Sequence, residues 1–131
     1  MGMNESELRD NPILKEYIVQ DLNTDPSIPY TDLEASTCTV SIDYLTRPVE
    51  VLTNLRRNTK PGGSVHLAIS NRCFPTKVVG RWLRISEMQR LDMVGDYLWW
   101  SGWRDIEIVT LVKESGVDPL WVVRGKNLEG Q

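Results

Sequence analysis

Apolar residues recur along this chain in short blocks with two different spacings, and the spacings divide it into strands and helices. Glu16 to Gln20 (EYIVQ) is a β-branched and aromatic block that ends at Asp21-Leu22-Asn23 and passes into a connection broken by Pro26 and Pro29. It predicts a strand followed by a loop. Thr37 to Leu45 (TCTVSIDYL) predicts a second strand, and its nearly continuous small and apolar character suits coverage on both faces, as in a parallel sheet. Thr46 then stands where a helix cap belongs, with Pro48 in the first turn, where a missing N–H costs nothing. Val49, Leu52 and Leu55, with Val51 beside them, make an apolar stripe at helical spacing that stops at Lys60-Pro61-Gly62-Gly63. Ser64 to Ser70 (SVHLAIS) predicts the next strand, completing a βαβ unit whose crossover is expected to be right-handed.

Farther along, Pro75 opens a helical stretch with Val78, Val79, Trp82 and Ile85 on one side. Ser86 and Gln89 fit a capping box for another helix, lined by Leu91, Val94 and Leu98 and ending at Gly102. Asp105 to Lys113 and Leu120 to Arg124 are strand runs joined closely enough to form a hairpin, so the sheet is expected to end antiparallel. Residues 1–12 are polar around a single Leu8 and read as a short helix or an exposed arm. The pattern as a whole predicts one α/β domain over residues 1–131, with a mixed sheet of about five strands.

Composition narrows the function. Of 131 residues, 40% are hydrophobic and 25% charged, so the chain can fold around one core. The net charge of -3 and the absence of any basic run longer than Arg56-Arg57 argue against a grip on nucleic-acid phosphates. The first eleven residues lack the apolar centre of a secretory signal, and no apolar run is long enough to span a bilayer. An intracellular, cytoplasmic protein with no membrane partner is expected, in which Cys38 and Cys73 are reduced core thiols. His66 is the only histidine and falls mid-strand, where a structural side chain is expected; with two separated cysteines it supplies no zinc cluster, so no metal is expected. The cluster of Tyr97, Trp99, Trp100 and Trp103 reads either as packing of the last helix on the sheet or as an aromatic lid or partner surface.

Several segments taken in order carry a resemblance. Asn11 to Asn23 (NPILKEYIVQDLN), Ser41 to Leu45 (SIDYL), Asn54 to Gly63 (NLRRNTKPGG), Ile69 to Lys77 (ISNRCFPTK) and Asp118 to Lys126 (DPLWVVRGK) together resemble class I S-adenosylmethionine-dependent methyltransferases of the type 11 kind. The resemblance implies a Rossmann-like sheet with strand order 3-2-1-4-5-7-6 whose last strand is antiparallel. By this analogy, Glu16 to Gln20 is similar to the third strand, Thr37 to Ile42 to the fourth and Ser64 to Ser70 to the fifth. Asp105 to Val112 and Leu120 to Arg124 are similar to the sixth and seventh. Met1 to Leu8 is similar to the segment just after the second strand, so the chain is expected to be a truncated, carboxyl-terminal portion of such a sheet. The nine glycines include no G-x-G pair, so the first strand-turn-helix that cradles the methionine end of the cofactor is missing from these residues.

What remains is implied to serve the adenine and substrate sides. The resemblance places Asp21 where a carboxylate accepts a hydrogen bond from the adenine amino group, with Leu22 beside the ring; Asp21 equally reads as a cap of the following loop. Ser41, Asp43 and Tyr44 end the fourth-strand candidate, at the sheet edge where ligands bind in open α/β sheets, although Asp43 also suits an ordinary turn. Asn71, Arg72 and Phe74 follow the fifth strand and are candidates for a substrate pocket, with Arg72 also readable as a solvated loop residue. Asn4 follows the position where many relatives carry an acid for the ribose, and a neutral amide makes no charge-assisted bond there.

Two functions are therefore open. One is a methyltransferase-like protein that uses S-adenosylmethionine on a small or macromolecular substrate, either truncated and impaired by the missing turn or with that site rebuilt from a dimer partner or the amino-terminal arm. The other is a non-catalytic interaction module derived from a methyltransferase. Loss of the two strands between the third and fourth would leave the edge of the fourth open. Either the third-strand segment moves in beside it, or two copies of the chain join as a homodimer.

Overall fold

The computed structural model describes residues 1–39, 42–70, 86–112 and 119–128. Its centre is a four-stranded sheet in the order β1-β2-β4-β3, made of β1 (Leu33–Thr39), β2 (Thr59–Ser70), β3 (Arg104–Val112) and β4 (Leu120–Lys126). β1 runs parallel to β2, and β4 runs antiparallel to both β2 and β3, so three strands point one way and the last points back. The helices are α1 (Glu5–Arg9), α2 (Pro48–Arg57) and α3 (Glu87–Trp100).

β2 shows why the sheet has an inside. Val65, Leu67 and Ile69 are buried, while Ser64, His66 and Ala68 point to the opposite face and are only half-buried, as the period of two requires. Against the buried row pack Leu52 of α2, Leu91, Met93, Val94 and Leu98 of α3, Ile42, Trp103 and Val123. α2 begins at Pro48 as the sequence predicts, but Thr46 does not cap it: Arg47 is the cap residue, with no side-chain cap bond. The hydroxyl and N–H of Thr46 are instead both turned to the side chain of Asn23. α3 follows the expected capping box closely, since Ser86 Oγ accepts from the Gln89 N–H and the Gln89 side chain accepts from the Ser86 N–H. It ends where Gly102 takes a φ of 98°, a left-handed conformation that favours glycine.

β1 departs from expectation in place and in surroundings. It starts four residues before Thr37 and gives way to a single 3-10 turn over Ile42–Tyr44. Ala35, Thr37 and Thr39 are exposed, because β1 is the outermost strand of the sheet and not one covered on both faces. The Lys60-Pro61-Gly62-Gly63 stretch lies inside β2 as a bulge: the register steps from Leu33↔Thr59 to Ala35↔Ser64. Gly63 is required there, since a Cβ would stand 2.9 Å from the carbonyl oxygens of Glu34 and Lys60.

The third-strand candidate also differs. Residues 16–20 do not join β1; Val19 forms an isolated parallel bridge with Gly2, in which Gly2 N donates to Ile18 O (3.1 Å) and Gln20 N donates to Gly2 O (2.8 Å). Those backbone groups of Ile18 and Gln20 are met by Gly2 and not by the sheet. The following connection is held to α2 instead, where Asn54 Nδ2 donates to Pro26 O (2.9 Å) and Asn58 Nδ2 donates to Ile28 O (2.8 Å). The expected helix over 75–85 lies outside the described residues, as does Cys73; Cys38 packs half-buried against the core.

The aromatic group near the end of α3 divides. Trp103 is fully buried and its Nε1–H donates to Leu52 O at 3.1 Å, tying the start of β3 to α2. Trp99 and Trp100 are 54% and 74% exposed, and the Arg104 guanidinium lies 4.0 Å over the Trp99 ring. Just past the end of β4, whose Lys126 pairs with Arg104, Asn127 is buried, and its Nδ2 reaches Thr59 O at 2.7 Å and Arg56 O at 3.3 Å. Replacing Asn127 with Ala leaves those carbonyls without their donor, so it is expected to lower the unfolding free energy by about 2 kcal/mol at unchanged denaturant slope. A urea midpoint within error of the parent chain would show that the amide contributes nothing.

Candidate functional site

The carboxyl ends of β1 and β2 point to the same edge of the sheet, because the two strands are parallel. Two loops meet there. The first follows residues 16–20. Asp21 accepts at Oδ1 from the Asn23 N–H (2.9 Å), and its carbonyl accepts from Thr24 and Asp25, so the turn closes on itself. Asp21 thus caps its loop, and Oδ2 carries no hydrogen bond among the described residues. Leu22 is half-buried beside it.

The second loop follows β1. Ile42 is buried in the core, Tyr44 packs half-buried against it, and Leu45 N donates to Ile42 O at 3.2 Å. Asp43 lies in the middle of this 3-10 turn. The two loops are joined by Asn23, whose Nδ2 donates to Tyr44 O (3.0 Å) and whose Oδ1 accepts from Thr46 N (2.9 Å). Arg47 Nη2 adds a bond to Asn23 O at 3.2 Å while Nη1 pairs with Glu50 at 3.2 Å.

Of the residues singled out from the sequence, Asp21, Leu22, Asp43 and Tyr44 are therefore brought to one edge on two joined loops. Ser41, Asn71, Arg72 and Phe74 lie outside the described residues. Asn4 serves α1, its side chain accepting from the Glu7 N–H, and His66 shares a 2.9 Å hydrogen bond with Ser64 on the half-buried face of β2. Asn23 was missed. Its local signal, an Asx-rich run from Asp21 to Asp25, predicts a turn but says nothing of a partner more than twenty residues away. Among the described residues no group of three His, Cys, Asp or Glu is placed to hold a metal, and no helix is long and apolar enough to cross a membrane.

At Asp25 hydrogen bonds outweigh burial. Asp25 accepts at Oδ1 from Ser27 Oγ (2.7 Å) and from Ser27 N (3.2 Å), and these bonds hold its carboxyl below the usual aspartate range. A carboxyl lowered in the folded chain contributes stability that is present above the ordinary aspartate range and lost as the pH falls through the lowered value. Carboxyl-carbon NMR is expected to show Asp25 titrating below a free aspartate, and Ser27→Ala is expected to move that midpoint upward. An unshifted Asp25, or no response to Ser27→Ala, would contradict the assignment.

No family model matches the chain, and neither does any curated protein. Solved structures do. A SAM-dependent methyltransferase from Archaeoglobus fulgidus aligns over 95% of this chain and 73% of its own, at a TM-score of 0.67 and 12% identity. A possible histamine N-methyltransferase from Thermotoga maritima aligns over 78% of this chain and 60% of its own, at 0.54 and 19%. The [4+2]-cyclase SpnF aligns over 86% and 57%, at 0.60 and 13%. The chain thus spans less than two thirds of the length of two of these three structures. Its strand order β1-β2-β4-β3 reproduces the fourth, fifth, seventh and sixth strands expected of a methyltransferase sheet. The chain has the carboxyl-terminal portion of the class I S-adenosylmethionine-dependent methyltransferase fold.

Proposed function

We propose that the chain is a methyltransferase-like protein that takes the nucleoside half of S-adenosylmethionine at the edge formed by the loops after residues 20 and 41. The observation that carries this reading is the joining of the Asp21–Leu22 turn to the turn containing Asp43 and Tyr44. Asp21 Oδ2 fits as acceptor for an adenine amino group, and the half-buried Leu22 and Tyr44 fit the faces of a purine. The methionine end is not fitted by these residues, since no G-x-G turn exists among them. Bound at such a site, the cofactor supplies an electrophilic methyl group. The chain's own contribution is to orient the nucleoside and exclude water, because methyl transfer from a sulfonium relies on alignment more than on acid-base groups. Asn71, Arg72 and Phe74, which follow β2, are proposed to contact a small acceptor.

A second reading is a non-catalytic interaction module on the same fold. It is favoured by the large apolar side chains left in water, Trp99, Trp100 and Leu111, which are 54%, 74% and 56% exposed. SpnF, named for a cycloaddition, illustrates that this fold hosts more than one chemistry. Calorimetry with S-adenosylmethionine and S-adenosylhomocysteine separates the two. The nucleoside reading expects a dissociation constant below about 1 mM, or about -4 kcal/mol, with adenosine retaining most of the affinity. No heat at millimolar ligand would leave the interaction module standing.

A further inference from the structure

We infer that Asn23 is a positioning residue that presets the nucleoside edge by fastening the loop after residue 20 to the loop after residue 41; the inference rests on the nucleoside reading above. All four of its polar groups are engaged. Its N–H donates to Asp21 Oδ1 (2.9 Å), and its carbonyl accepts from Arg47 Nη2 (3.2 Å). Its Nδ2 donates to Tyr44 O (3.0 Å), and its Oδ1 accepts from Thr46 N (2.9 Å) and Thr46 Oγ1 (3.3 Å). Among the described residues no backbone ladder joins residues 16–20 to β1, so these side-chain bonds take the place of sheet pairing at this edge.

The residue type is dictated by that geometry. The position needs a donor for one carbonyl and an acceptor for one N–H on two separate atoms of a single short side chain, which the asparagine amide supplies. Aspartate would set a carboxylate against the Tyr44 carbonyl, and alanine would leave both partners unmet. The cost of the arrangement is visible in α2. Thr46, a residue type well suited to cap that helix, gives its hydroxyl to Asn23, and α2 starts at Pro48 with Arg47 at the cap position and no side-chain cap bond. A local rule broken in favour of a cross-loop bond is the pattern expected where function sets the geometry.

The test compares the full chain with Asn23→Ala, Asn23→Asp and a control, Thr53→Ala, whose hydroxyl bonds only within α2. Three quantities are read: amide exchange at Thr46, the urea midpoint, and the affinity for S-adenosylhomocysteine by calorimetry. Asn23→Ala is expected to speed Thr46 exchange at least about tenfold and to weaken binding by about the same factor, roughly one lost hydrogen bond to each loop. Asn23→Asp keeps the acceptor for Thr46, so exchange stays near that of the parent chain while binding weakens, because the Tyr44 carbonyl is repelled. Thr53→Ala leaves both unchanged. Should Asn23→Ala prove too unstable, the Asn23→Asp contrast carries the comparison alone. Thr46 exchange unaltered by Asn23→Ala overturns the fastening. Faster exchange with undiminished affinity overturns the positioning role, leaving a merely structural bond. Failure of the parent chain itself to bind overturns the nucleoside reading, with the exchange data still reporting whether the fastening exists.

Discussion

Burial of Val65, Leu67 and Ile69 beneath α2 and α3 is the contact on which the rest of the structure depends. β2 is flanked by β1 on one side and β4 on the other, so its alternating side chains set the inner face for the whole sheet. The α2 and α3 helices lie on that same face, as expected when two right-handed crossovers step the same way across parallel strands. The core that results is built from aliphatic residues and one indole. Each fully buried side chain of this size is worth about 1.5 to 3 kcal/mol, before the cost of ordering the chain is set against it. Trp103 then locks the layers together, since its ring fills the core and its N–H reaches the backbone of α2.

From this inner face the position of the candidate site follows. Parallel β1 and β2 deliver their following loops to one edge, and α2 begins directly beneath the first of them. Ile42 anchors that loop by its burial, which leaves Asp43 and Tyr44 on a turn of fixed shape. Among the described residues the loop after residues 16–20 contributes no side chain to the buried core, its Leu22 and Ile28 being only half-buried. It is positioned by polar side chains, Asn23 toward one loop and Asn54 and Asn58 from α2, so the edge is assembled by hydrogen bonds on a scaffold made by packing.

Elements whose pattern is local were legible in the sequence. The Ser86–Gln89 capping box, the Pro48 start of α2, the alternation from Ser64 to Ser70 and the β3–β4 hairpin all stand as expected, because each is specified within a few residues. β1 was displaced because its run of small residues has no clear period, and an edge strand does not need one. The bulge at Lys60 to Gly63 was hidden because P-G-G reads the same in a turn and in a bulge. Thr46 was misassigned for a different reason. Its partner is Asn23, and no local pattern weighs a bond across the fold against a cap next door. For the same reason the candidate site was legible as two separate loops but not as a joined pair.

Four asparagine side chains share one habit, in that Asn23, Asn54, Asn58 and Asn127 each direct an amide NH₂ at a backbone carbonyl oxygen. Spontaneous deamidation turns such an NH₂ into a carboxylate oxygen, which can only accept, so each tie would become a repulsion between two acceptors. Chemical ageing would therefore strike this protein at its fastenings before its packing. The loop carrying Asp21 and Leu22, held by three of the four, would come loose while the hydrophobic layer beneath β2 stayed intact.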